Sequence, residues 1–117
     1  MQAAKLNLSI QQGATFRKRL VRRNDKGRPI NLTGYTAKLQ ARTSHSDPVV
    51  LFELSTENSG IVITPATGVI DLYISDEATA TFVFTACIYD LVLYAPNGDA
   101  YRLCEGKVTL SLGVTRV

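Results

Sequence analysis

The single histidine, His45, lies in Thr43-Ser44-His45-Ser46-Asp47-Pro48, where hydroxyls, an imidazole and a carboxylate follow one another. These are the residue types of a nucleophile, a base that titrates near neutrality and an acid that orients it. Their adjacency argues against that chemistry, because the members of such a triad converge from separate elements, and no G-x-S-x-G turn is present. The segment reads as a solvated loop. Metal chemistry fares no better, since Cys87 and Cys104 with one distant histidine match no zinc spacing. Asp71, Asp76, Glu77, Asp90, Asp99 and Glu105 are scattered, and glycine patterns that cradle phosphate are absent. The expectation is a protein with no catalytic, cofactor-binding or metal-binding residues and no cofactor.

Charge is distributed more informatively. Of 13 lysines and arginines, seven fall in one short stretch: Arg17, Lys18, Arg19, Arg22, Arg23, Lys26 and Arg28. On a strand, Arg17 and Arg19 point outward together and form a stripe able to meet phosphates or a partner's carboxylates, the latter suited to bidentate arginine contact. A purely solvated or edge-protecting face is the plainer reading. Nucleic-acid binding is a further alternative, weakened by a net charge of only +3 and by the lack of exposed aromatics, Phe16 being placed inward.

The elements that carry these residues read as strands. Leu6, Leu8 and Ile10 alternate with polar residues until Gly13, and Ala14 to Arg23 forms a second strand with Phe16 and Leu20 inward and Arg17, Arg19 and Arg23 outward. Asn24-Asp25-Lys26-Gly27 is a turn, and Pro29 makes Ile30 to Leu32 an edge or connector. Tyr35, Ala37, Leu39 and Ala41 form the inner face of a third strand that ends at Arg42, and Val49 to Leu54 returns as a short one. Ile61 to Thr64 and Val69 to Ser75 form a hairpin around Pro65-Ala66-Thr67-Gly68. Ser75 can cap a single helical turn with Asp76 and Glu77 at its positive end.

The longest hairpin spans Ala86 to Gly113. Pro96-Asn97-Gly98 suits a three-residue loop, which sets Leu93 opposite Tyr101 and Leu91 opposite Leu103, whereas a two-residue loop would set Asp90 against Glu105. The apolar positions change from odd (Tyr101, Leu103) to even (Val108, Leu110, Leu112), so a bulge is expected, with Glu105-Gly106 as its site. In that register Cys87 and Cys104 lie on opposite faces, too far apart for a disulfide, and read as buried thiols. Tyr35, Leu39, Leu72, Leu91 and Leu103 form the expected core.

With 117 residues, 45% hydrophobic and 20% charged, the chain reads as a single domain over 1–117. About seven to nine strands with regular turns indicate an all-β antiparallel sandwich or barrel with at most one short helical turn. No run approaches the roughly 20 apolar residues of a membrane span, and Met1 to Ile10 is not a signal peptide, so synthesis and first use in the cytosol are expected.

Five short motifs occur in order: Gln12-Gly13-Ala14-Thr15-Phe16; Pro29-Ile30-Asn31-Leu32-Thr33-Gly34-Tyr35-Thr36-Ala37; Gly68-Val69-Ile70-Asp71-Leu72; Tyr89-Asp90-Leu91; and Gly106-Lys107-Val108 with Val114-Thr115-Arg116. Together they resemble small virion proteins of tailed bacteriophages and prophages, and the layout is similar to the immunoglobulin-like N-terminal domain of phage baseplate upper proteins. The resemblance implies an immunoglobulin-like β-sandwich that acts as a structural adaptor in a virion, with no enzymatic step. The implied partners are other virion proteins, in repeated copies set by the particle's symmetry; no membrane is expected, and nucleic acid stays the weaker alternative raised by the basic stretch. The sequence stops at Val117, without the long stalk and receptor-binding-protein attachment region of the baseplate proteins. Tail, baseplate, head-to-tail connector and capsid decoration all remain open.

Overall fold

The computed structural model describes residues 3–115; Arg116, the end of the last motif above, lies outside the described residues. In chain order the strands are β1 (Ala4–Lys5), β2 (Leu8–Gln11), β3 (Phe16–Val21), β4 (Thr36–Arg42), β5 (Phe52–Ser55), β6 (Ile61–Thr64), β7 (Val69–Ile74), β8 (Ala86–Tyr94) and β9 (Ala100–Ser111), with one helix, α1 (Asp76–Ala80). One sheet has the order β1-β9-β8-β4-β5, with β2 also on β9, and the other has the order β3-β7-β6. Most pairs are antiparallel. The first strands depart from the expected pattern, since β1 and β2 run parallel to β9.

Alternation places one apolar face of each sheet inward. Leu8, Ile10, Leu39, Leu91 and Val108 from the larger sheet meet Phe16, Ile61, Ile70 and Leu72 from the smaller, all buried. Leu39, Leu72 and Leu91 of the expected core are buried, whereas Tyr35 and Leu103 are only half-buried against it. Ser75 caps α1 as expected, its hydroxyl accepting from the Ala78 N–H at 3.1 Å. Pro65 to Thr67 forms a 3₁₀ turn between β6 and β7. The short strand expected over Val49 to Leu54 begins later, at Phe52, and Thr81 to Phe84 forms no strand; Phe82 and Phe84 instead pack on Phe52 with centroids 5.1 and 6.0 Å away.

The β8–β9 hairpin corrects several expectations. The three-residue loop forms, with Gly98 at φ 94° and Leu93 opposite Tyr101. The bulge lies at Leu91/Val92, opposite Leu103, so Leu91 faces Cys104 instead of Leu103. Inserting Leu103 shifts parity there, which puts Cys104 on the inner face with Cys87; the two thiols are buried and free. They share a face but sit four rungs apart along β8, since Cys87 faces Val108, and that is well beyond disulfide reach. Leu112, expected inward, lies past the end of β9 and is 61% exposed.

Gly106 is therefore not the hinge. A Cβ there would lie 2.3 Å from the Leu6 carbonyl oxygen, so glycine is required because the N-terminal strand crosses in contact with it. The Leu6 N–H donates to the Glu105 carbonyl at 2.9 Å, and the Asn7 side-chain oxygen accepts from the Lys107 N–H at 3.0 Å. The Tyr89 hydroxyl donates to the Leu6 carbonyl.

Candidate interaction surface

The basic segment forms an edge. Strand β3 pairs on one side with β7, from Phe16↔Ile74 to Val21↔Val69, and is the terminal strand of its sheet. Its start is set by Gly13 at φ 81°, whose N–H donates to the Thr79 hydroxyl at 3.1 Å while that hydroxyl donates to the Ala14 carbonyl at 2.9 Å. At the other end, Asn24 closes the turn by accepting from the Lys26 and Arg28 N–H groups at 2.9 and 3.0 Å. The Ile30 N–H then donates to the Arg22 carbonyl at 3.0 Å, so the segment after Pro29 is a connector.

All seven sequence-selected cations lie along this edge and its turn, but their environments differ. Arg19 is engaged by Asp71 in a two-point contact, Nε to Oδ1 at 2.8 Å and Nη2 to Oδ2 at 3.2 Å, and that hydrogen bond and charge raise its pKa further. The Arg17 guanidinium stands 4.7 Å from the centre of the Tyr73 ring, a cation–π contact. Arg23 donates to the Gly27 carbonyl at 3.1 Å. Arg17, Lys18, Arg23, Lys26 and Arg28 are exposed and Arg22 is half-buried.

Lys18 is the residue whose position sequence reasoning missed. It pairs with Leu72, between Phe16↔Ile74 and Leu20↔Ile70, so its side chain starts from the inner face of the sandwich. It stays exposed because β3 is an edge. The period of the strand carried this signal, since Phe16, Lys18 and Leu20 share parity.

A second charged group was not selected from the sequence at all. On the outer face of the larger sheet Asp90 pairs directly with Glu105, the like-charge juxtaposition that the expected register avoided. Arg102 lies between them, 3.4 Å from Asp90 and 3.9 Å from Glu105, and Lys5 on β1 reaches Glu105 at 3.1 Å. The Lys5 hydrogen bond and charge hold the Glu105 carboxyl below its ordinary range. Asp90, Arg102 and Glu105 line a shallow cavity of about 200 Å³ with Arg42 and His45.

In the His45 loop, Asp47 is committed to shaping the backbone. It accepts from the Thr43 hydroxyl and from the Val49 N–H at 2.9 Å, and these bonds lower its pKa. Ser44, His45 and Ser46 are exposed. Among the described residues no three His, Cys, Asp or Glu side chains are grouped to hold a metal ion. Among the described residues no helix is long and apolar enough to cross a membrane.

No protein-family model matches the chain, and no curated protein sequence matches it significantly. Solved structures do. A chicken TCR aligns over 99% of this chain with TM-score 0.56 and 10% identity. The fold is immunoglobulin-like. The chain spans 57% of the length of that TCR chain, and at this identity the likeness is one of fold alone. Weaker likenesses are to a VGSC beta subunit (TM-score 0.45, 11% identity, 95% of this chain and 93% of that one) and to a chain of an ICOS complex with ICOS-L and a VNAR domain (0.40, 14%, 95% and 56%). Antibody immunoglobulin domains pin their two sheets with a disulfide and a buried tryptophan. This immunoglobulin-like chain has no tryptophan, and both its cysteines lie in one sheet, on β8 and β9.

Proposed function

We propose that this chain is a non-enzymatic structural protein of a tailed-phage particle, a tail, baseplate or head-to-tail adaptor, made in the host cytoplasm and acting by assembly with other virion proteins. The observation that supports this most is the open edge of β3, which brings a run of exposed cations beside backbone that pairs with no further strand among the described residues, on an immunoglobulin-like sandwich. Such an edge recruits protein partners, and clustered cations select an acidic one while opposing self-pairing. The ordered motifs described above add the virion context. The contact is heterologous and repeated by the symmetry of the particle.

The structure refines the test of this surface. Arg19 is tied to Asp71, so reversing it would disturb the fold as well as the edge. Reversing Arg17, Arg23 and Arg28 together to Glu leaves that pair intact. Each exposed ion pair is worth about 0 to 1 kcal/mol, so a single reversal changes little. The triple variant is expected to keep wild-type circular dichroism and to lose incorporation into purified particles, measured as copies per particle by quantitative mass spectrometry. Normal incorporation would reduce the edge to a solvated face, and absence of the wild-type chain from particles would remove the adaptor reading. The rival reading, a small basic nucleic-acid-binding β-domain using Arg17 to Arg28, is separated by titrating duplex and single-stranded DNA at two salt concentrations. Binding that weakens steeply with salt would favour it.

A further inference from the structure

The open side of the sandwich is more specific than a basic edge. The Arg22 N–H donates to the Gly68 carbonyl at 2.8 Å. Residues of the same parity along β3, namely Phe16, Lys18 and Leu20, therefore direct their peptide groups to β7, and Arg17, Arg19 and Val21 turn theirs to the open edge. Across the gap lie β1 and β2, which pair with β9. Between the two edges run two shallow hollows of about 450 and 430 Å³. Leu8 and Phe16 line one with Lys18; Leu6 and Leu20 line the other with Lys5. Among the described residues no carboxylate lines either hollow.

We propose that this cleft receives an extended segment of another protein, added as a strand to β3, whose inward residues read apolar, acidic, apolar opposite Phe16, Lys18 and Leu20. The peptide groups of Arg17, Arg19 and Val21 supply the strand's hydrogen bonds. The apolar residues cover the gap between the sheets, and the acid meets the ammonium of Lys18. An inward lysine on an edge strand is a known guard against pairing, because any apolar strand that docks must desolvate its charge. Here the same penalty acts as a selector, since only a strand with a carboxylate at that rung offsets it. The pattern is symmetric about its centre and so fits a parallel or an antiparallel strand. A second copy does not supply it: β5 and β6, the free edges at the far ends of the two sheets, read FELS and IVIT, without an acid flanked by apolar residues at two-residue spacing. The inference rests on the adaptor reading only for the source of the strand.

The test uses the isotope-labelled full chain and two blocked peptides, TVTETVT and TVTKTVT, followed by amide chemical shifts. The expected result is saturable binding of the acidic peptide, with the largest shifts at Arg17, Arg19 and Val21 and an affinity at least about tenfold above that of the lysine peptide. In a Lys18→Glu chain, an exposed substitution that keeps the fold, the preference inverts. Equal affinities, no binding of the acidic peptide at millimolar concentration, shifts centred elsewhere, or concentration-dependent shifts at the same amides without peptide would each overturn the proposal, the last by making a second copy the occupant. The two readings fail separately. A chain that binds the acidic peptide but is absent from particles loses the adaptor role alone, and one that enters particles but ignores the peptide loses the strand site alone.

Discussion

Burial pushes the Cys87 thiol from an ordinary 9.0 up to about 11, and it raises Cys104 and Tyr89 in the same direction. The folded chain holds these protons more tightly than the unfolded chain does. For Cys87 the stabilising contribution is therefore complete below about pH 9 and is lost as pH rises from 9.0 toward 11. Urea midpoints measured across that interval are expected to fall, and a Cys87→Ala variant to fall less steeply. Because the thiolate is the reactive form, both cysteines should resist iodoacetamide at pH 8 in the native chain and react on unfolding. Gly106 makes a different demand, with a Cβ placed 2.3 Å from the Leu6 oxygen. Gly106→Ala must displace the N-terminal strand or β9, and the expected loss is about 2 to 4 kcal/mol by chemical denaturation.

The β8–β9 hairpin shows how one inserted residue rearranges an element. Leu103 adds a residue opposite the Leu91–Val92 step, and every residue from Cys104 onward changes face relative to unbroken alternation from Tyr101. The shift brings Asp90 opposite Glu105, and Arg102 and Lys5 compensate the repulsion. Arg102→Leu is expected to lower stability modestly at low salt, with the difference shrinking as salt screens the remaining pair. The Glu105 carboxyl, held low by Lys5, contributes above the ordinary carboxylate range and loses that contribution as pH falls through its own pKa. Helix α1 depends on its cap, the Ser75 hydroxyl accepting from Ala78. Ser75→Ala should cost about 1 kcal/mol, read from the denaturation midpoint.

The whole sandwich has no covalent tie between its sheets, since both cysteines are free and lie in the same one. Apolar packing from Leu39 and Leu91 against Ile70 and Leu72 holds the layers together. The unfolding midpoint is accordingly expected to be the same with and without reductant. A reductant-sensitive midpoint would show that the two thiols can pair. The sandwich is also asymmetric at its margins, with one open side cationic and lined by both sheets. That side is where a partner strand gains both backbone bonds and apolar cover, which is why the proposed contact lies there and not on the charge-balanced outer face of the larger sheet.

Alternation alone determined most strands, because facing in a strand depends only on the parity of neighbouring residues: Leu39, Leu72 and Leu91 were legible as core, Arg17 and Arg19 as outward, Ser75 as a cap. The three-residue turn at Pro96 to Gly98 was equally local, set by one fixed φ and one positive φ. The choice of bulge position was not legible, since a glycine at 106 and a leucine at 103 both permit one; Gly106 instead makes room for Leu6, a contact made 100 residues away in the chain. That choice decided the faces of Cys104 and Glu105. The parity of Lys18 was readable, but its meaning depended on β3 being an edge. Whether a charge beside two core residues is buried, paired or open is fixed by which strands lie next to it, and strand order is a property of the folded chain.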